Sequence, residues 1–284
     1  MNAATWAGIG AMLLWAFLGV LAKLGAGIPP LQMTAIGMAI GGGVGLALVA
    51  ARGRLRALGP AGGTGWLAWA HGVGGLFGYH ALYFAALALA PAVEANLLNY
   101  LWPLLVVLLS APVLGLPLGG RRLAGVALGF AGCALLVGGG ARFAPEALAG
   151  FLCAAAGALV WAGYSVTARR LAAVPTEAVA GFCLASAALA GVLHLGFEAT
   201  VWPDSRQALA LLLLGLGPVG AAFFLWDLGM KRGDPRLLGT LAYGIPVAST
   251  LLLLLAGFGA AGWPVAVAAL LVSGGGFLAA RAAR

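Results

Sequence analysis

Asn96-Leu97-Leu98-Asn99-Tyr100-Leu101-Trp102-Pro103 and Gly239-Thr240-Leu241-Ala242-Tyr243-Gly244-Ile245-Pro246 each place a tyrosine three residues before a proline inside a long apolar run. The tyrosines, like the prolines, are 143 residues apart in a chain of 284. A second set agrees, because Trp15, Lys23 and Pro29 recur as Trp161, Arg169 and Pro175, each 146 residues later. The chain therefore reads as a duplication, with one copy over residues 1–142 and the other over 143–284. Proline has no N–H, so Pro103 frees the carbonyl of Asn99 from its helical partner and Pro246 does the same for Ala242.

Composition sets the environment of these prolines. Hydrophobic residues make up 63% of the chain and charged residues only 8%, with a mean hydropathy of +1.07. A soluble domain carries roughly 25% charge, so this is an integral membrane protein. The formal charge of +8 does not indicate nucleic acid, because the basic residues are confined to short connectors between apolar runs.

Runs long enough to cross a bilayer as helices, about 20 residues each, extend over Trp6–Leu24, Leu31–Ala50, Trp66–Leu89, Val93–Leu114 and Leu123–Gly139 in the first copy. The second copy offers Ala147–Ala168, Thr176–Phe197, Ala208–Met230, Leu237–Gly257 and Trp263–Ala280. The fold class is thus an all-α integral membrane protein of ten transmembrane helices. Strands are rejected, since the runs lack the polar alternation of a barrel. Five helices per copy is an odd number, so the second copy enters the membrane upside down. Inverted repeats of this kind hold a substrate site at their interface and expose it to either side in turn.

Charge places the ends. With the N-terminus in the cytoplasm, Arg52, Arg54, Arg56, Arg121, Arg122, Arg169, Arg170, Lys231, Arg232, Arg236, Arg281 and Arg284 fall inside, while Lys23, Arg142 and Arg206 fall outside. Both termini are therefore expected in the cytoplasm. The first run has no basic leader and is expected to remain as a span. Cys133, Cys153 and Cys183 lie within predicted helices without metal-ligand spacing, so neither a disulfide framework nor a metal or other cofactor is expected.

Polar and aromatic residues at mid-span mark the candidate site. Tyr79, His80 and Tyr83 share one broad face of the third helix, and phenol and imidazole groups need partners that lipid does not offer. Asn96, Asn99, Tyr100 and Pro103 line up at helical spacing on the fourth. Trp15 and Trp161 occupy matching positions, with Tyr164 three residues after Trp161 and Trp102 beside the Pro103 kink. The candidate substrate contacts are Tyr79, His80, Tyr83, Asn96, Tyr100, Trp102, Trp161 and Tyr243, with Pro103 and Pro246 as kink or gating positions. Interhelical packing, and ordinary kinks repaired by neighbouring groups, are the competing readings. His71 and His194, near helix ends, read as interfacial. Asp227 reads as a structural partner of Lys231 at helical spacing.

These features resemble a known family. The Ala90-Pro91-Ala92 turn, the following helix with Pro103, its copy from Asp234-Pro235 to Pro246, and the paired Trp15 and Trp161 are similar to the two EamA repeats of the drug/metabolite transporter superfamily. Glu94 to Pro103 and the helix around Tyr79-His80-Ala81-Leu82-Tyr83 more narrowly resemble bacterial exporters of aromatic amino acids. The resemblance implies a secondary transporter exporting aromatic or bulky apolar amino acids and related metabolites. Broad efflux of amphipathic drugs is the alternative within transport. A membrane-embedded lipid-modifying enzyme is the alternative from another class, but no acid, His or Ser constellation converges at an interface.

Energy coupling leaves few candidates. Glu94, Glu146, Glu177, Glu198, Asp204 and Asp234 fall at helix ends or connectors, leaving His80 as the mid-span group able to change charge near neutral pH. Phosphorylated substrates would call for arginine or lysine at the centre, where none lies. No Walker glycine motif is present, so direct ATP use is not expected. Gly37, Gly41 and Gly45, like Gly125 and Gly129, recur every fourth residue and are expected at close helix contacts.

Overall fold

The computed structural model describes residues 1–58, 65–115, 118–138, 145–168, 171, 173–233, 238 and 241–281, and every regular element among them is helical. In the first half these are α1 (Ala3–Ala16), α2 (Leu18–Leu24), α3 (Pro30–Ala51), α4 (Gly65–Leu89), α5 (Ala92–Asn99), α6 (Trp102–Leu114) and α7 (Gly120–Gly138). The second half holds α8 (Leu148–Ala168), α9 (Ala178–Phe197), α10 (Ser205–Leu216), α11 (Ala222–Arg232), α12 (Ile245–Leu255) and α13 (Trp263–Arg281). Seven spans among the described residues are long and apolar enough to cross a membrane, and Ile245–Leu255 and Trp263–Ala279 are shorter apolar helices.

Several predicted rods are broken rather than straight. The first bends at Phe17, where its N–H turns back to the carbonyl of Leu14. In the fourth, α5 stops at Tyr100 with φ −72° and ψ 11°, and Pro103 sits in the first turn of α6. Proline tolerates that position because its missing N–H would have no helical partner there. The second tyrosine–proline stretch behaves alike: Tyr243 and Gly244 form a turn, and Pro246 opens α12. Between α10 and α11 the chain makes a π-turn over Gly217–Ala221 containing Pro218. Breaks of this kind survive in a membrane protein where neighbouring helices shield the freed backbone groups.

Polar contacts tie the helix ends into two layers. At one end Asn2 donates to the carbonyl of Arg232 at 2.9 Å, and Arg54 pairs closely with Glu177 between α3 and α9. At the opposite end Glu198 accepts the backbone N–H groups of Leu31 and Gln32 at 3.0 and 3.1 Å, capping α3. His194 meets the same carboxylate at 2.9 Å, so it staples the end of α9 to the start of α3. Asp204 and Gln207 form a capping box on α10, and Gln207 donates to the carbonyl of Ala26 at 2.9 Å.

Small residues set the closest approaches. A Cβ placed at Gly41 would lie 2.8 Å from the Cα of Gly220, and one at Gly125 would lie 2.3 Å from the carbonyl oxygen of Gly275. Gly41 and Gly125 therefore lie at backbone-to-backbone contacts, α3 against the π-turn and α7 against α13, where neither wall can step aside, while Gly37, Gly45 and Gly129 of the same stripes face side chains. We expect Gly125→Leu to abolish a monodisperse peak in detergent size-exclusion chromatography. Gly43→Ala, at a position with nothing within 4 Å of the new methyl, should leave that peak in place; a normal peak for Gly125→Leu would refute this packing.

Candidate functional site

Aromatic side chains from both halves meet at the centre of the bundle. Trp15, Leu18, Tyr79, His80, Tyr100, Trp102, Trp161, Phe223 and Ile245 line a cavity of ≈ 20 Å³. That volume has room for about one water molecule, so the rings stand in a closed arrangement. Trp161 is the hub: its ring centroid lies 4.9 Å from that of Tyr79, 5.2 Å from Tyr164, 5.9 Å from Phe223, 6.2 Å from Trp15 and 6.4 Å from Trp102. Each such pair contributes about 0.5–1.5 kcal/mol beyond area burial. The contacts are edge-on or tilted, which leaves ring faces able to receive another aromatic ring or a cation once the walls separate.

Polar groups hold the rings in register. The indole N–H of Trp15 donates to the carbonyl of Pro218 at 3.2 Å, so the π-turn supplies the acceptor that an indole inside a membrane needs. His80 is 1% exposed and its Nδ1 lies 2.8 Å from the carbonyl of Leu76. A carbonyl only accepts, so Nδ1 carries a proton and Nε2 is the remaining polar atom of the ring. His80 also packs edge-on against Phe223, with centroids 5.7 Å apart.

A second polar layer adjoins the cavity. Tyr83 donates to Asn96 Oδ1 at 2.6 Å, and Asn96 Nδ2 donates to Ser249 at 3.1 Å, joining α4, α5 and α12. Asn99 donates to the Tyr79 hydroxyl at 3.0 Å. Gly19 of α2 lets this layer close, since a Cβ there would meet the Tyr83 hydroxyl at 3.1 Å and Asn96 Oδ1 at 3.4 Å.

The residues singled out from sequence thus separate into groups. Tyr79, His80, Tyr100, Trp102 and Trp161 line the cavity, whereas Tyr83 and Asn96 are bonded to one another in the adjoining layer. Tyr243 lies over α13, where a Cβ at Gly276 would come within 2.0 Å of its ring. Pro103 and Pro246 are buried at the two helix breaks. His71 is half-buried: it stacks on Tyr164 at 4.6 Å and meets the Thr167 hydroxyl at 2.7 Å, bridging α4 and α8. Asp227 accepts from the Thr176 hydroxyl in a short contact; the side chain of Lys231, its expected partner, lies outside the described residues. Cys153 and Cys183 are free thiols, and the side chain of Cys133 is not described.

The EamA-like transporter family matches residues 2–138. The chain is also 50% identical over 287 residues to the "Aromatic amino acid exporter YddG" of Ancylobacter novellus, covering 100% of this chain and 99% of that protein. The chain belongs to the EamA-like transporter family. A solved structure described as "Crystal structure of protein" superposes with a TM-score of 0.78 at 50% identity, over 99% of this chain and 98% of the other. Membership makes this a membrane transporter and not an enzyme.

Within this EamA-like chain, Phe223, Leu18 and Ile245 are lining residues that the sequence reading passed over. A signal for two of them was present. His80 and Phe223 are separated by the same 143 residues as the paired tyrosines, and so are Trp102 and Ile245. Phe223 was inconspicuous because an apolar residue in an apolar helix has no polarity to betray it.

The Asn96 layer predicts a stability defect. Asn96→Ala leaves the Tyr83 hydroxyl and Ser249 without their shared partner in a buried site, a loss of about 1–3 kcal/mol. Thermal unfolding in detergent should show a lower midpoint, and Ser249→Ala should add little in the Asn96→Ala background because the two act as one unit. Full additivity of the two variants would count against the chain of bonds.

Proposed function

We propose that this transporter exports aromatic or bulky apolar amino acids and related metabolites from the bacterial cytoplasm by alternating access. The observation that carries the reading is the ring of Trp15, Tyr79, Trp102, Trp161 and Phe223 closing on His80. Aromatic walls select a planar apolar side chain, while the Nε2 of His80 and the hydroxyls of Tyr79 and Tyr100 offer hydrogen bonds to the α-amino and carboxylate ends. The relative that is 50% identical along its whole length bears the name of an aromatic amino acid exporter, which supports the same substrate class.

We read the chain as two inverted five-helix repeats over residues 1–142 and 143–284, with α7, α12 and α13 completing ten spans and both termini in the cytoplasm of an inner-membrane protein. Helix neighbours support this reading. The contacts between α3 and α9 and between α7 and α13 join matching helices of the two halves. The α4–α8 contact has a counterpart in α1–α11, the α4–α9 contact in α3–α10, and the α6–α8 contact in α1–α12. Exchanging the halves thus returns each of these contacts, which is what a two-fold axis between the repeats would give. The matched cavity pairs Trp15/Trp161, His80/Phe223 and Trp102/Ile245 are a second support. In the closed cavity of ≈ 20 Å³, a solute enters only when the rings part, and the breaks at Tyr100 and Tyr243 are where the rods bend.

Reconstituted vesicles test the proposal. Radiolabelled tryptophan should undergo counterflow through the wild-type protein, and Trp161→Ala and His80→Ala should each cut that flux at least about tenfold, as loss of a well-placed contact does. Excess Phe should compete and Thr should not. Flux of a cationic dye without amino-acid flux would replace this reading with broad drug efflux, for which the apolar walls are also suited. An imposed pH gradient that leaves flux unchanged would exclude proton coupling through His80.

A further inference from the structure

A second cavity lies one helical turn beyond the central one. Leu18 and His80 line the central cavity, and Ala22 and Phe84, each four residues further along α2 and α4, line a cavity of ≈ 310 Å³. The two voids are therefore stacked along the same pair of helices, about 5–6 Å of helix rise apart, with the Tyr83–Asn96–Ser249 layer beside them. The outer void falls within the size range of small-molecule pockets, whose lower bound is about 300 Å³.

Its walls carry one charge. Lys23 lines the void together with Ile28, Met33, Phe84, Leu87 and Ala88. Instead of extending to the rim, its ammonium group turns across to α4 and donates to the carbonyl of Leu87 at 3.0 Å. That bond uses one of its three donors. A half-buried cation over an apolar floor matches a carboxylate attached to a hydrophobic side chain. The ends of α2 at Leu24 and α4 at Leu89 both lie at this mouth, so the negative poles of two helices favour an ammonium group next to it. Carboxylate, ammonium and apolar side chain together describe a zwitterionic amino acid.

The geometry points to a release-side subsite in this vestibule, in which Lys23 holds the carboxylate of an exported apolar amino acid after it leaves the central rings. The inference rests on the export reading and on the assignment of this end to the outside. No acidic residue lines the cavity to compete for the lysine. Phospholipid headgroups present a similar anionic chemistry, so the test separates the two sources.

Ala26 also lines the vestibule and is exposed, so Ala26→Cys reports on its occupancy without removing Lys23. In right-side-out vesicles, a membrane-impermeant methanethiosulfonate should label this thiol, and external L-tryptophan should slow the labelling. Adding Lys23→Met, which keeps the stem but not the charge, should raise the protecting concentration about tenfold, as loss of a charged hydrogen bond does, and Lys23→Arg should restore it. Phenethylamine, which lacks the carboxylate, should protect equally poorly in both backgrounds. Equal protection by tryptophan with and without Lys23, labelling only from the cytoplasmic face, or a labelling rate set by phosphatidylglycerol and indifferent to tryptophan would each overturn the subsite. Tryptophan counterflow by Ala26→Cys is measured alongside: its presence without protection removes the vestibule alone, and its absence in the wild type removes the export reading itself.

Discussion

Hydrocarbon offers no partner to a backbone N–H or carbonyl, and this one constraint organises the whole molecule. Each span must satisfy its own peptide groups as a helix, and any break must be covered by protein. The breaks at Tyr100 and at Pro218, Val219 and Gly220 of the π-turn are accordingly buried in the bundle, and those at Phe17 and Tyr243–Gly244 are short turns in which the N–H groups of Phe17 and Gly244 turn back to the carbonyls of Leu14 and Leu241. One of them is put to use at once: the carbonyl of Pro218 accepts the indole N–H of Trp15. The costly irregularity and the aromatic site thus depend on each other.

Apolar side chains cannot drive association between helices already surrounded by lipid, so close packing and buried polar bonds carry that work. Glycine accounts for the first, bringing α3 against the π-turn at Gly41 and α7 against α13 at Gly125. Tyr83, Asn96 and Ser249 account for the second, with Gly19 leaving the room they need. At the helix ends, Glu198 caps α3 and binds His194. These contacts are directional, and they fix which faces of α2, α4, α5 and α12 look at one another. The cavity is shaped by what remains.

Two voids stacked along α2 and α4 give the transport reading a physical course. The inner one is closed by interlocked rings, and the outer one has a lysine over an apolar floor. An amphipathic zwitterion is suited to both in turn, since ring faces accept its side chain and the polar groups accept its ends. Family membership agrees with a carrier and leaves no role for covalent chemistry at the centre.

The amino-acid sequence alone determined the membrane class and most helix limits, because these follow from hydropathy and proline chemistry, which are local. It also brought forward Tyr79, His80, Tyr100, Trp102 and Trp161, since polar or aromatic groups at mid-span stand out against an apolar background. Only tertiary structure decided which of the marked residues share a wall. It bound Tyr83 to Asn96, turned Tyr243 onto Gly276, set His71 against Thr167, and brought up Phe223 and Ile245, whose apolar side chains carried no signal of their own. A helical face can be read from periodicity, but the neighbour it meets depends on how several rods pack together, and in a chain that is apolar on nearly every face that choice rests with small residues and buried hydrogen bonds.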